Sequence, residues 1–247
     1  MCGRYVSVRS NADLTREFDA VDSTDALWEG PNYNVAPTDS IRAVVNRPLR
    51  DAEGNPADTP TRQLRVVTWG LIPSWARDRS TQSRMFNARV EGVSRSNAFK
   101  RAYAKRRCLI PADGWYEWQT VDTAQGTRKQ PIFMTPDDGH PIAFAGLYEF
   151  WGEQGRTVTS ATILTAPAAG VLTRIHPRMP LVLPRRAWKR WLDPDVEDPA
   201  DLLGPWDEVS GEHLELRPVS PAVNRVDNNG PELLDELASE PEEQRLF

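Results

Sequence analysis

Residues 108–119 read Cys108-Leu109-Ile110-Pro111-Ala112-Asp113-Gly114-Trp115-Tyr116-Glu117-Trp118-Gln119. An apolar run over 108–110 leads through Pro-Ala-Asp into a second run over 114–119. Runs this short, rich in branched and aromatic residues, read as strands rather than helices. The rest of the chain repeats the pattern at 3–8, 41–46, 64–69, 132–135, 142–151, 157–166 and 179–183. The runs 41–46 and 64–69 flank a polar loop containing Glu53-Gly54-Asn55-Pro56, a hairpin signal, and the turn Asp137-Asp138-Gly139 separates 132–135 from 142–151. Helical patterns are fewer. Ser10 caps 12–18, with Asp13 three residues on. Residues 96–105 form a basic helix, 185–192 put Trp188, Trp191 and Leu192 on one face, and Pro231 opens a short acidic helix to residue 237. Mostly antiparallel strands with short helices between them imply an α+β single domain, mainly antiparallel β with a barrel-like core and short flanking helices. It spans residues 1–238, followed by a frayed acidic tail over 239–247.

At 247 residues the chain can bury roughly 70–75% of its unfolded surface, so it needs no disulfide or metal staple. An apolar share of 39% and a charged share of 26% describe a soluble globular protein. No apolar run approaches the roughly 18 residues of a membrane span, and Met1-Cys2-Gly3-Arg4-Tyr5 has no signal-peptide core. This places the protein in the cytoplasm, beside the nucleoid if bacterial, with Cys2 and Cys108 as reduced thiols rather than a bridge. Net charge is −5, which argues against nucleic acid on average, but the charge is unevenly spread. Residues 84–107 hold eight Lys/Arg against Glu91, whereas 193–215 hold nine acids and no Lys/Arg. A globally acidic protein can still present one basic surface to phosphates. The sequence has no phosphate-binding glycine loop, no CxxC pair and no HExxH, and His140, His176 and His213 are too scattered for a zinc site. Neither a cofactor nor a metal is expected.

Cys2 is the first candidate for chemistry. Removal of Met1 places a thiol and an α-amine on adjacent carbons. An α-amine with a pKa near 8 has roughly 200 times more free base at neutral pH than a lysine. It can attack an aldehyde to form a Schiff base, on which the thiol can close as a five-membered thiazolidine. The same thiol could instead attack an amide, or be an incidental cysteine. Glu117 is the second candidate. On a strand, Asp113, Trp115 and Glu117 share one face, and Tyr116 and Trp118 the other. A carboxyl group among aromatics loses solvation, and its pKa should rise toward the range of a general acid or base at neutral pH. The alternative is an edge glutamate with its head in water. His176, between Arg174 and Arg178 in a proline-bounded loop, reads as a neutral base held by two cations, or as an ordinary surface histidine. Asn87 reads from its spacing as a helix N-cap.

In order along the chain, Met1-Cys2-Gly3-Arg4-Tyr5, Tyr33-Asn34-Val35-Ala36-Pro37, Trp69-Gly70-Leu71-Ile72-Pro73-Ser74-Trp75, Asn87-Ala88-Arg89-Val90-Glu91, residues 107–118, Ile163-Leu164-Thr165-Ala166, His176-Pro177-Arg178-Met179-Pro180 and 218–230 resemble the SOS response-associated peptidase (SRAP) family of abasic-site processing proteins. The resemblance implies binding of single-stranded DNA at abasic sites by a monomer, with no membrane and no metal. It further implies a thiazolidine crosslink through Cys2 after Met1 removal, together with AP-lyase and autoproteolytic activity. It assigns proton transfer to Glu117, sugar protonation and crosslink reversal to His176, and orientation of the reacting groups to Asn87. Arg4, Arg89, Thr165 and Arg178 would hold DNA phosphates, and Pro37 and Trp75 would pack against splayed bases. Ala76 stands where some members carry a second aromatic wedge. The long loop around Asp51–Thr61 and the acidic stretch after Leu192 look like local elaborations. Two other readings stay open: an N-terminal-nucleophile cysteine peptidase or amidohydrolase, and a non-catalytic nucleic-acid module.

Overall fold

The computed structural model describes residues 2–25, 27–51, 53–123, 126–153, 156–204 and 213–237. Along the chain lie β1 (Tyr5–Ser7), α1 (Asn11–Phe18), β2 (Val21–Asp22), β3 (Asn32–Val35), β4 (Ser40–Arg50), β5 (Pro56–Trp69), β6 (Asn87–Arg89) and α2 (Lys100–Lys105). They are followed by β7 (Arg107–Ala112), β8 (Gly114–Thr123), β9 (Gly126–Pro136), β10 (Ile142–Trp151), β11 (Val158–Pro167), β12 (Arg178–Pro180), α3 (Arg185–Leu192) and β13 (Leu214–Pro218).

Strands β11, β10, β7, β4 and β5 are neighbours in that order, all antiparallel. β11 then returns to β5 in parallel, Ser160 opposite Thr68 and Ala161 opposite Trp69, which closes the five strands into a barrel. Alternation decides what fills it. On β7, Cys108, Ile110 and Ala112 point inward with Ile41, Ala43 and Val45 of β4, while Leu109 points outward to Leu14, Phe18, Trp188 and Trp191 on the helices. Phe18 stacks on Trp188 with ring centroids 4.4 Å apart, fixing α1 against α3. Gly146 on β10 faces Cys108, and a Cβ there would lie 2.8 Å from its sulfur, so only glycine lets the two strands approach. Ser10 caps α1 by accepting the Asp13 N–H at 3.1 Å.

The second sheet runs β13-β9-β8-β1-β3. One face sends Tyr5, Trp115, Ile132 and Met134 into the barrel core, and the other packs Val6, Tyr116 and Phe133 under Val219, Val223 and Leu233. Each large apolar side chain so enclosed contributes about 1.5–3 kcal/mol.

The α+β reading with a barrel-like core holds. Four local expectations change. The hairpin strands extend to Arg50 and restart at Pro56, so most of the stretch around Asp51–Thr61 is paired strand rather than loop. The basic helix shortens to Lys100–Lys105 because no side chain caps it, and residues 96–99 turn instead. The acidic helix after Pro231 is a 3-10 turn over Pro231–Leu234, cut short because Glu236 bridges to Val219 in extended pairing. Asn87 opens strand β6, not a helix. The tail over 239–247 lies outside the described residues.

Candidate active site

Beyond the barrel, β11 runs on to Pro167 and changes partners. β6 takes over the side β5 occupied, pairing Asn87 with Ile163 and Arg89 with Thr165, and β12 takes over from β10, pairing Pro180 with Thr165 and Arg178 with Pro167. This exchange brings Asn87 and Arg178 to opposite flanks of one strand. Gly70, which ends β5, has φ +117° and donates its N–H to Ala161 at 2.7 Å. A Cβ on it would lie 2.4 Å from the Gln82 carbonyl oxygen, so the turn that delivers the chain to β6 demands glycine.

Cys2 is shut off from solvent. Asn87 Nδ2 donates a 2.7 Å hydrogen bond to its carbonyl, tying the amino end to β6. Asn87 Oδ1 is buried and has no hydrogen-bond partner among the described residues. β1 lies beside β8, Tyr5 opposite Trp115, which sets Glu117 near the same end. Glu117 is only 3% exposed, and burial pushes its carboxyl up to about 7. The Cys2 thiol stands well above its usual value because of burial first and the nearby Glu117 charge second. Glu117 and His176 line one tight pocket with Trp115, Met134, Leu172 and Met179. His176 Nδ1 lies 3.0 Å from both the N–H and the carbonyl oxygen of Arg178, and these two backbone contacts fix the ring. His176 sits below its usual pKa. Burial is the main cause and the Arg178 charge a minor one, so the two-arginine explanation gives way to desolvation.

Residues 2, 87, 117 and 176 are thus gathered at one desolvated place. The four residues matched to phosphate contacts split into two groups. Arg89, Thr165 and Arg178 sit on adjacent strands, with Arg89 exposed and Thr165 buried. Arg178 donates to the Thr165 carbonyl and forms an ion pair with Glu91, whose carboxyl this contact holds below the usual range. Arg4 lies apart from them, donating to Asn34 Oδ1 at 3.0 Å and to the Val223 carbonyl at 2.8 Å. Trp75 is 65% exposed, and its indole N–H donates to the Asn97 carbonyl at 3.4 Å. Pro37 precedes Thr38, whose N–H donates to Trp69 at 2.8 Å.

The basic window separates by role. Arg107 is buried and clamps carbonyls of Tyr103, Ala104, Trp191, Asp193 and Val196, and Arg106 pairs with Glu149 at 2.7 Å. Arg84, Arg89, Arg95, Lys100 and Arg101 remain exposed. The acidic stretch acquires a role as well. Glu197 pairs with Lys105 at 3.0 Å, Asp201 with Arg190 at 2.8 Å, and Asp198 accepts the Tyr103 hydroxyl at 2.8 Å, pinning the segment to α2 and α3.

Sequence reasoning missed Asn34 and Glu91 as site residues. Asn34 Nδ2 donates to carbonyls of Val223, Arg225 and Asn228, which binds residues 223–228 to β3 beside Arg4. The one local signal was an amide in a strand, where asparagine is a poor fit unless its side chain is used. Among the described residues no three His, Cys, Asp or Glu side chains are grouped as a metal would need, and no helix is long and apolar enough to cross a membrane.

The fold and site define an α+β barrel with a buried cysteine at position 2, tied to Asn87 and close to a carboxyl group whose pKa burial raises. Residues 1–226 match the model of the SOS response associated peptidase (SRAP) family, and the chain belongs to that family. It is 36% identical over 239 residues to abasic site processing protein YoaM of Bacillus subtilis, covering 95% of this chain and 98% of that one. It is 30% identical over 238 residues to abasic site processing protein YedK of Escherichia coli, covering 95% and 99%. A crystal structure from Bacteroides thetaiotaomicron superposes with a TM-score of 0.78 at 20% identity, over 96% of this chain and all of that one. One from Bordetella bronchiseptica gives 0.71 at 26% identity, over 89% and 100%.

Proposed function

We propose that this chain processes abasic sites, binding single-stranded DNA and capturing the ring-opened deoxyribose through Cys2 once Met1 is removed. The observation that carries the reading is a chain of neighbours from four distant places in the sequence: Asn87 is hydrogen-bonded to the Cys2 carbonyl, the Glu117 charge acts on the Cys2 thiol, and Glu117 and His176 line one tight pocket. The relatives' names point the same way.

The α-amine of Cys2 adds to the C1′ aldehyde. Glu117, half protonated near pH 7, gives a proton to the leaving hydroxyl, and water departs from the carbinolamine. The Cys2 thiol adds to the imine carbon, its proton passes to the nitrogen, and the thiazolidine closes with one water lost overall. His176, neutral at pH 7, accepts or returns protons at the sugar for ring opening, β-elimination and reversal. Arg89, Thr165 and Arg178 hold phosphates on one flank and Arg4 on the other, with Pro37 and Trp75 against bases. Trp75 already lies open to such a contact.

The peptidase reading needs a resting thiolate, since the thiolate is the nucleophile. Burial and Glu117 both oppose one at Cys2. The amine-first route opens on nitrogen and calls on the thiol only once the imine has formed, when its proton can pass to that nitrogen. Denaturing gels of the chain with single-stranded abasic DNA provide the test. A heat-stable adduct is expected from the wild type and none from Cys2→Ala. Equal adduct from Cys2→Ala means a lysine Schiff base and sinks the assignment.

A further inference from the structure

The end of the barrel away from Cys2 is also open. Parallel pairing of β5 with β11 begins only at Thr68 and Ser160, so residues 65–67 and 158–159 part from each other. In that gap lies a cup of about 40 Å³ lined by Arg47, Arg65, Tyr148, Phe150 and Thr159. It continues into a groove of about 440 Å³ that shares Arg65 and Thr159 and adds the hydroxyls of Ser23, Thr24, Ser40 and Thr157 together with the carboxyl groups of Asp25 and Glu29. Asn87 pairs at Ile163, four residues along β11 from Thr159 or roughly 13 Å, so the cup is separate from the pocket of Cys2.

Both guanidinium groups are held in place without being neutralised. Gln63 is fully buried; its Oε1 accepts from Arg65 Nε at 2.9 Å and its Nε2 donates to the Arg47 carbonyl at 2.7 Å. Arg47 lies 4.7 Å from the centre of the Phe150 ring. Among the described residues no carboxylate pairs with either arginine. The barrel thus keeps two like charges in one cup without a counterion, using a buried amide to aim one of them. A two-pronged guanidinium is suited to a tetrahedral oxyanion. A cup of this size holds a few waters or one such group but not a nucleobase. The groove, with hydroxyls and the carboxyl groups of Asp25 and Glu29, suits a neutral hydroxyl-bearing remainder and confines the anion itself to the cup.

The geometry points to a phosphate-binding site at the mouth opposite Cys2, between Arg47 and Arg65, whose ligand is a phosphate monoester with its sugar-like part in the groove. The inference does not depend on the chemistry at Cys2. Loss of crosslinking with phosphate binding retained would remove that reading and leave this one.

Calorimetric titration of the full chain at low salt tests it, with inorganic phosphate and with 1,2-dideoxyribose 5-phosphate, which has no aldehyde for Cys2 to capture, as probes. Both are expected to bind, the ester more tightly. Arg47→Met/Arg65→Met is expected to weaken both by about tenfold or more while the rate of crosslinking at Cys2 stays unchanged, which also reports an intact fold. Arg65→Lys, which keeps the charge but loses the fork, is expected to fall between. Equal affinity for the two probes overturns the monoester assignment. No binding by the wild type, undiminished binding by the double variant, or binding abolished by Arg89→Ala instead overturns the site itself.

Discussion

Cys2 and Cys108 are both wholly buried, both unpaired as disulfides, and both in the same apolar core. Cys108 lies inside the barrel wall beneath Gly146, and burial alone drives its thiol far up. Cys2 lies at the barrel's end, where the same burial is joined by the Glu117 carboxyl and by the Asn87 amide on its carbonyl. Enclosure therefore makes a thiol inert, and only neighbours that can give and take protons make enclosure useful. What distinguishes the two cysteines in the structure is the carboxyl and amide beside Cys2; the proposed function adds the amine that removal of Met1 would bare.

The largest test of this contrast exchanges each cysteine for alanine. Cys2→Ala is expected to lower crosslinking below detection, by more than about a thousandfold. Cys108→Ala should leave the rate unchanged and cost about 1 kcal/mol of stability, read by denaturant melts. Comparable losses of activity from both would erase the distinction.

Glu117→Gln comes next, with crosslinking slowed by about a hundredfold and noncovalent binding near normal. The wild-type rate should show an inflection near pH 7 that the variant lacks, measured by quenched-flow gels from pH 5.5 to 9. Stability should respond in the opposite sense. The folded-state value of about 7 lies above the usual 4.5, so the folded chain holds an extra proton between those values. Wild-type stability therefore falls as pH rises through that window and levels off above it. Glu117→Gln should be more stable than wild type at pH 8 by up to about 3 kcal/mol, with the difference gone below pH 4.5. A variant less stable at pH 8 would show that the carboxylate is not held at a cost.

His176→Asn should slow strand cleavage and crosslink reversal by about tenfold to a hundredfold and adduct formation by less, separable by following the adduct after excess competitor DNA is added. Equal effects on both would move His176 into the capture step. The smallest change is expected from Arg89→Ala, a few-fold weaker binding to single-stranded DNA and a salt slope reduced by about 1. Arg178→Ala should show less than this, because Glu91 already occupies its charge.

Much of the framework was readable locally because alternation and turn chemistry act over a few residues. The inward set Cys108, Ile110, Ala112 and the split between Trp115 and Tyr116 follow from period two. The Ser10 cap follows from a hydroxyl three residues before an N–H. Asn87 misled the local reading for the same reason. An asparagine before Ala-Arg-Val looks like a cap, and only pairing with Ile163, 76 positions on, makes it a strand residue. Arg107 misled in another way. Its place in a run of cations suggested a surface, and five carbonyls from α2 and the α3 end enclose it instead.

By itself the sequence determined the strands of the barrel wall and the apolar face of each, and which few side chains could do aldehyde chemistry, but not β2, β3, β6 or β13. Those properties depend on residue type and on neighbours within a turn or two. Only the tertiary structure decided that β11 returns to β5 and then trades β5 and β10 for β6 and β12. That exchange places Asn87 beside the Cys2 carbonyl and β12 on the other flank of β11, while pairing of β1 with β8 brings Glu117 to the same end. The positions and protonation of these groups depend on long-range pairing and desolvation, and no stretch of a dozen residues contains either.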